Sequence, residues 1–267
     1  MDEQAVIDKL KEKKFENVVS LGFFCSVARD IEELGLRSIS GPVDWVWSTW
    51  KGVYNAMQNE FSNYMPIENL AQSSHDNCIY ADREQGIVFF HDFSKYKSLA
   101  KQYGDVKAKY DRRIGYFYQN IKKPTLFIRY IWDGTHNGKR VNEILQIEKD
   151  YENFLKLIKT YNEQNEIIFI ANSNLHSDIL PIFYVEKDEG DMVSRRPIFA
   201  NELLKEYLES MDFSDREKNI KKYNAKRKRQ RSIGFRAVSK CKLILKRMAL
   251  KEYVHDKRYE HDEYSCG

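Results

Sequence analysis

Apolar and polar positions along this chain switch between two periods, and the switches outline its elements. Residues 2–14 read as a short charged helix, residues 15–21 as a buried strand, and residues 25–34 as a helix closed by Gly35. Over residues 48–61 the spacing is helical, with Trp50, Val53, Tyr54, Met57 and Phe61 on one side. Residues 77–81 and 87–90 read as two hairpin strands around the polar turn 82–86. Helical spacing returns over 106–121, and Pro124 then introduces a compact apolar strand at 125–130. A long amphipathic helix over 143–161 leads to the strand 166–171; a short strand at 182–185 and a helix over 200–210 follow.

The strands at 125–130 and 166–171 are continuously apolar and separated by a long helix. That is the pattern of a βαβ unit, in which a parallel sheet is covered on both faces. The expected fold class is therefore α/β, a mostly parallel sheet flanked by helices. Residues 1–210 are expected to form one domain and 211–267 a basic helical C-terminal extension.

Composition supports a folded chain: 42% of the 267 residues are hydrophobic and 13% aromatic. No run approaches the length of a membrane span, and the first residues are too charged for a secretory signal, so a cytoplasmic location is expected. The four cysteines, Cys25, Cys78, Cys241 and Cys266, lack paired spacing and suggest neither a disulfide framework nor a zinc site.

Charge changes this picture at the C-terminal end. Fourteen Lys or Arg residues and no Asp or Glu lie between Lys218 and Lys251; removing those fourteen from a net +4 leaves −10 on the rest. Within that tract Val238, Cys241, Leu245 and Met248 make one apolar helical stripe, with Ile244 beside it. A basic amphipathic helix suits an anionic membrane surface, which would hold the protein peripherally on the inner membrane face. The alternatives are docking on the acidic body or on a partner, and nucleic-acid binding. Nucleic acid ranks last because no recognised binding motif accompanies the charge.

Candidate chemistry centres on Val18-Val19-Ser20-Leu21-Gly22-Phe23-Phe24-Cys25-Ser26-Val27-Ala28-Arg29. This reads as a buried strand, a glycine turn, and a cysteine at the start of a helix. Backbone N–H groups and the positive end of the helix dipole stabilise a thiolate there, so Cys25 is a candidate nucleophile; a cysteine that merely packs is the plain alternative. A nucleophilic thiol needs a base, and the base an orienting group. His91 is the best placed histidine, at the end of the run Ile87-Val88-Phe89-Phe90 where a strand opens into a loop. His136 and His176 are reserves; His75, His255 and His261 lie in polar stretches. Asp44, beside Trp45, and Asp92 compete as the orienting carboxylate, although Asp44 also suits a helix cap. Arg112 and Arg113 form a compact positive pair suited to a carboxylate or phosphate. Successive helix positions diverge by about 100 degrees, so only one is expected to face a cleft. No Walker loop, dinucleotide fingerprint or zinc-hydrolase motif is present, and neither a metal nor a cofactor is expected.

Together these segments resemble a family catalogued as putative papain-like cysteine peptidases. The resemblance rests on Ser20-Leu21-Gly22-x-x-Cys25-x-x-Ala28, Gly35-Leu36-Arg37, Gly41-Pro42-Val43-Asp44-Trp45, Phe90-His91-Asp92-Phe93, Tyr110-x-Arg112-Arg113-Ile114 and Leu126-Phe127-Ile128-Arg129. It covers residues 16 to 175, and departs from the family's Pro-Phe-Asp-Trp by one residue, Val43. It implies Cys25 as nucleophile and His91 as its partner, with Asp44 or Asp92 behind the histidine and Arg37, Trp45, Arg112 and Arg113 toward a peptide, ester or glycan substrate. The family's association with cell-surface polysaccharide genes adds a second expectation. That is a transferase at the inner membrane face, in which an arginine of the 112–113 pair grips phosphate, His91 is the base and Cys25 is structural.

Overall fold

The structure, a computed structural model, describes residues 2–73, 78–131, 133–136, 139–189 and 193–230. The apolar stripe at 238–248, and with it His255 and His261, lies outside these residues, as does His75.

Helix α1 (Glu3–Lys11) is capped by Asp2 and leads to β1 (Asn17–Ser20) and α2 (Cys25–Glu33). Strand β2 (Val46–Ser48) and α3 (Trp50–Gln58) follow, then β3 (Leu70–Gln72), β4 (Tyr80–Asp82) and β5 (Ile87–Phe89). Helix α4 (Leu99–Asn120) precedes β6 (Thr125–Tyr130), the short strands β7 (Asp133–His136) and β8 (Lys139–Asn142), and α5 (Glu143–Tyr161). The described chain closes with β9 (Glu166–Asn172), β10 (Ile182–Val185), α6 (Pro197–Ala200), α7 (Glu202–Ser210) and α8 (Arg216–Gln230).

The expected parallel sheet is present. Its order is β1-β6-β9-β10, every neighbouring pair is parallel, and Val19 lies opposite Phe127 and Phe127 opposite Ile167. Alternation across the pleat divides the core in two. Val19, Phe127, Ile167 and Phe169 face a layer that includes α3, α4 and α5, whereas Leu126, Ile128, Ile168 and Ile170 face α1, α2 and α7.

The expected hairpin belongs to a larger antiparallel sheet, β2-β5-β4-β3, in which Val46 pairs with Phe89 and Tyr80 with both Phe89 and Gln72. The helix expected from residue 48 begins instead at Trp50, because Ser48 is taken into β2 opposite Ile87 and the Thr49 side chain caps the helix through Gly52 N–H. The helix expected from 106 begins at Leu99. The polar first turns are held by Gln102, whose side chain meets Ser94 and Lys97 backbone groups. The segment around His136, expected as a loop, forms the small β7-β8 ladder.

Beyond residue 210 the chain turns back into α8, which packs against α2. Helix α2 ends in a Schellman arrangement, with Leu36 N–H on Ile31 C=O and Gly35 N–H on Glu32 C=O, and Gly35 takes the positive φ of 73° that this ending requires. A Cβ on Gly35 would lie 2.7 Å from both Arg216 O and Ile220 Cγ1, so the bare glycine also admits α8.

Candidate functional site

Strand β1 delivers the cysteine. Leu21 and Phe23 continue its pairing to β6, with Leu21 N–H on Ile128 C=O at 2.9 Å and Tyr130 N–H on Gly22 C=O at 3.0 Å. Gly22 turns the chain at φ 85°, and Cys25 opens α2 at the C-terminal edge of the parallel sheet, half-buried. Phe24 stands at the cap position of this helix, and its side chain makes no capping hydrogen bond. First-turn N–H groups have no partner inside their own helix, so they point their partial positive charge at whatever occupies the position of Cys25.

Beneath the turn lies a buried polar knot that sequence reasoning missed. Arg129 of β6, fully buried, donates from Nη1 to Leu21 O at 2.8 Å and from Nη2 to Ser48 O at 3.1 Å, and meets both Glu143 carboxylate oxygens at 3.0 Å. Glu143 in turn accepts Trp50 N–H at 2.5 Å. One ion pair thus ties together the end of β1, the end of β2 and the starts of α3 and α5. Burial pushes the Arg129 guanidinium down from its ordinary value, and Glu143 opposes this. The one signal in the sequence was a charged residue inside an otherwise apolar strand.

A small cleft with room for about one water lies beside α2, lined by Ser20, Ala28, Ile31, Arg37, Ile39 and Asp44 among others. Ala28 follows Cys25 by three residues, so the two share one stripe of the helix. Across the cleft, the loop 37–44 is closed on itself. Asp44 accepts Arg37 Nε–H at 3.1 Å, Arg37 Nη2–H at 2.5 Å and Gly41 N–H at 2.8 Å. Asp44 therefore braces its own loop and is not a helix cap. Burial raises its carboxyl above the ordinary value, and Arg37, the Gly41 N–H and Arg113 oppose that rise. Tyr64 donates to Pro42 O at 3.0 Å and fixes the loop to the core.

Trp45 extends this brace toward His91. The Arg37 guanidinium lies 5.1 Å from the Trp45 ring centroid, and the His91 ring meets Trp45 edge to face at 6.5 Å. The β2-β5 ladder ends with Val46 opposite Phe89, and the chain on each side of that end carries Trp45 and His91. Arg37, Asp44, Trp45 and His91 thus form one connected group, with His91 exposed at its end.

Asp92, in the loop after β5, meets residues of α4, the helix that carries Arg112 and Arg113. The Asp92 carboxylate is held by Lys109 and by the Tyr110 hydroxyl at 2.7 Å. Burial and the Asp92 charge push the Tyr110 phenol well up. Arg113 stacks over Tyr110 at 5.1 Å and acts on Asp44, and its Nη1 is buried without a hydrogen-bond partner. Arg112 is exposed, so of the pair it is Arg113 that turns inward. The reserve histidine His176 is exposed and pairs with Asp178 at 3.0 Å. Among the described residues no three His, Cys, Asp or Glu side chains gather to hold a metal, and no helix is long and apolar enough to cross a membrane.

A second unforeseen contact comes from α8: Lys226 Nζ lies 5.5 Å from the Trp45 ring centroid and bonds both Glu32 oxygens at 2.8 and 3.0 Å.

Residues 16–153 match the family model described as putative papain-like cysteine peptidase, and the chain belongs to that family. The matched span contains Cys25, Arg37, Asp44, Trp45, His91, Asp92, Arg112 and Arg113, and ends before α8. No curated protein and no solved structure matched the chain.

Proposed function

We propose that this protein is a thiol hydrolase or acyl-transfer enzyme in which Cys25 is the nucleophile and His91 the general base. The observation that carries this reading is the position of Cys25, half-buried, in the first turn of α2 and three residues before Ala28 of the cleft. Family membership agrees with it.

The Cys25 thiolate attacks a carbonyl carbon, and the first-turn N–H groups of α2 stabilise the oxyanion that forms. The intermediate collapses as His91 protonates the departing amine or alkoxide, leaving an acyl thioester on Cys25. Water, deprotonated by His91, attacks the thioester, releases a carboxylate and restores the thiol; another acceptor in place of water gives acyl transfer. Trp45 positions the imidazole, and the Arg37–Asp44 pair holds Trp45.

The test is the pH dependence of Cys25 alkylation in the native protein, with Cys25→Ala and His91→Ala as controls. An activated thiol reacts with a midpoint well below the ordinary cysteine value of about 8.5, and His91→Ala slows it. A midpoint near the ordinary value, unmoved by His91→Ala, would overturn the reading.

One observation favours a second reading, a transferase acting on a phosphate-bearing substrate. The inward Arg113 keeps a buried donor without a partner. In that case Arg113→Ala abolishes turnover of a sugar-phosphate substrate while Cys25→Ala leaves it unchanged.

A further inference from the structure

Helix α8 has two faces. Its inner face is fastened to the C-terminal end of α2 almost wholly by polar groups. Arg216 donates to Leu34 O at 3.1 Å and Met211 O at 2.9 Å, Asn219 to Gly35 O at 3.1 Å, and Tyr223 to Glu33 at 2.5 Å, while Lys226 bonds Glu32. These positions recur at spacings of three and four. The opposite face carries Lys218, Lys221, Lys222, Lys228 and Arg229, all exposed. Its acidic neighbours are Asp215, 3.5 Å from Lys218, and Glu217, 3.8 Å from Lys221, both in exposed pairs that water screens. The docked helix leaves a row of cations turned outward.

We propose that this outer face of α8 docks on an anionic lipid bilayer. Two observations favour lipid over nucleic acid. The sequence that continues from α8 interleaves Arg236, Lys240, Lys242, Lys246 and Arg247 with Val238, Cys241, Ile244, Leu245 and Met248. A bilayer takes both kinds of residue, phosphate headgroups the cations and the acyl boundary the apolar side chains, whereas a phosphate backbone takes only the first. The aromatic of α8, Tyr223, is buried on the inner face at 6% exposure, so the outer face offers no ring on which a base stacks. Because Lys226 of the same helix lies over the Trp45 ring, the docking brings the Trp45–His91 group near the bilayer.

The experiment is co-sedimentation of the full chain with vesicles of phosphatidylcholine alone and with about one-third phosphatidylglycerol, at low and high ionic strength. Binding is expected only to the anionic vesicles and falls steeply with salt. Each lysine near the surface contributes about a fivefold factor, so the variant K218A/K221A/K222A/K228A, which loses four, binds about six-hundredfold more weakly at low salt. Its thermal unfolding is expected to match that of the parent, since none of the four holds α8 to α2. Absence of binding at low salt, or undiminished binding by that variant, overturns the proposal. Removal from vesicles by an equal charge concentration of duplex DNA overturns the choice of lipid. Cys25→Ala retains full vesicle binding, so failure of the thiol chemistry and failure of the docking are read separately.

Discussion

Replacing Arg129 by Met tests whether the buried knot beneath the cysteine turn is what holds it. The substitution keeps much of the side-chain volume and removes the guanidinium. Three groups lose a partner: the Glu143 carboxylate, 4% exposed, and the carbonyls of Leu21 and Ser48. Breaking a buried ion pair from one side costs about 3–5 kcal/mol, and each abandoned buried carbonyl adds roughly 1 kcal/mol or more where water cannot reach it. A loss of at least about 4 kcal/mol is expected, a large share of the 5–15 kcal/mol typical of a domain. Removing both charges in R129M/E143M is expected to recover about 2–3 kcal/mol, because the stranded carboxylate goes with its partner. Urea unfolding of the parent, both single variants and the double variant gives the coupling directly, and Cys25 alkylation in the double variant reads the turn. A single-variant loss below about 1 kcal/mol would refute the reasoning, as would single and double effects that add to within about 0.5 kcal/mol.

Asp30, with no exposed surface, accepts Arg196 Nε–H at 2.9 Å and Ile198 N–H at 3.1 Å; burial pushes its carboxyl up to about 6 although Arg196 and Arg29 pull it down. A folded value above the unfolded 3.8 favours the fold at low pH, and that contribution fades as pH rises through about 6. Relative to Asp30→Asn, the parent is therefore expected to lose about 1–2 kcal/mol between pH 5 and 7.5, and parallel stability–pH curves for the two proteins would reject the assignment. Gly35→Ala forces a side chain into positive φ and against α8. It is expected to cost about 1–2 kcal/mol from the backbone alone and to speed tryptic cleavage within α8; an unchanged cleavage rate would count against the docking. Trp45→Ala removes the ring shared by Arg37, Lys226 and His91, with an expected loss of about 1–2 kcal/mol from two cation–π contacts and slower Cys25 alkylation. Alkylation at the parental rate would show that His91 does not depend on Trp45.

The parallel sheet was legible because its strands are continuous apolar runs between clear breakers, and Cys25 because a strand, a glycine and a helix follow within a few residues. The antiparallel sheet was only half legible. All four strands are three residues long, but only β4 and β5 flank a polar turn that marks a hairpin, whereas β2 and β3 have no such signal beside them. Asp44 was singled out as a candidate, but its commitment to Arg37 depends on how the loop closes, which no local pattern encodes. A basic helical extension was expected beyond residue 210, but the side by which α8 docks was not legible, because it consists of Arg216, Asn219, Tyr223 and Lys226 and carries no apolar periodicity. The Arg129–Glu143 pair joins residues on a strand and on the helix after the β7-β8 ladder, and only the fold brings them together.

The order β1-β6-β9-β10 puts β1 at an edge of the parallel sheet, and its extension at Phe23 accepts Ser48 N–H across to the antiparallel sheet at 2.9 Å. The turn that carries Cys25 therefore sits at a seam between two sheets. A molecule that spans a seam binds the assembled state and not the parted one. Linkage makes it raise the melting temperature in proportion to the logarithm of its concentration, about 2.7 kcal/mol at one hundred times its dissociation constant. Substrate candidates can be ranked by that shift alone, before any reaction is known.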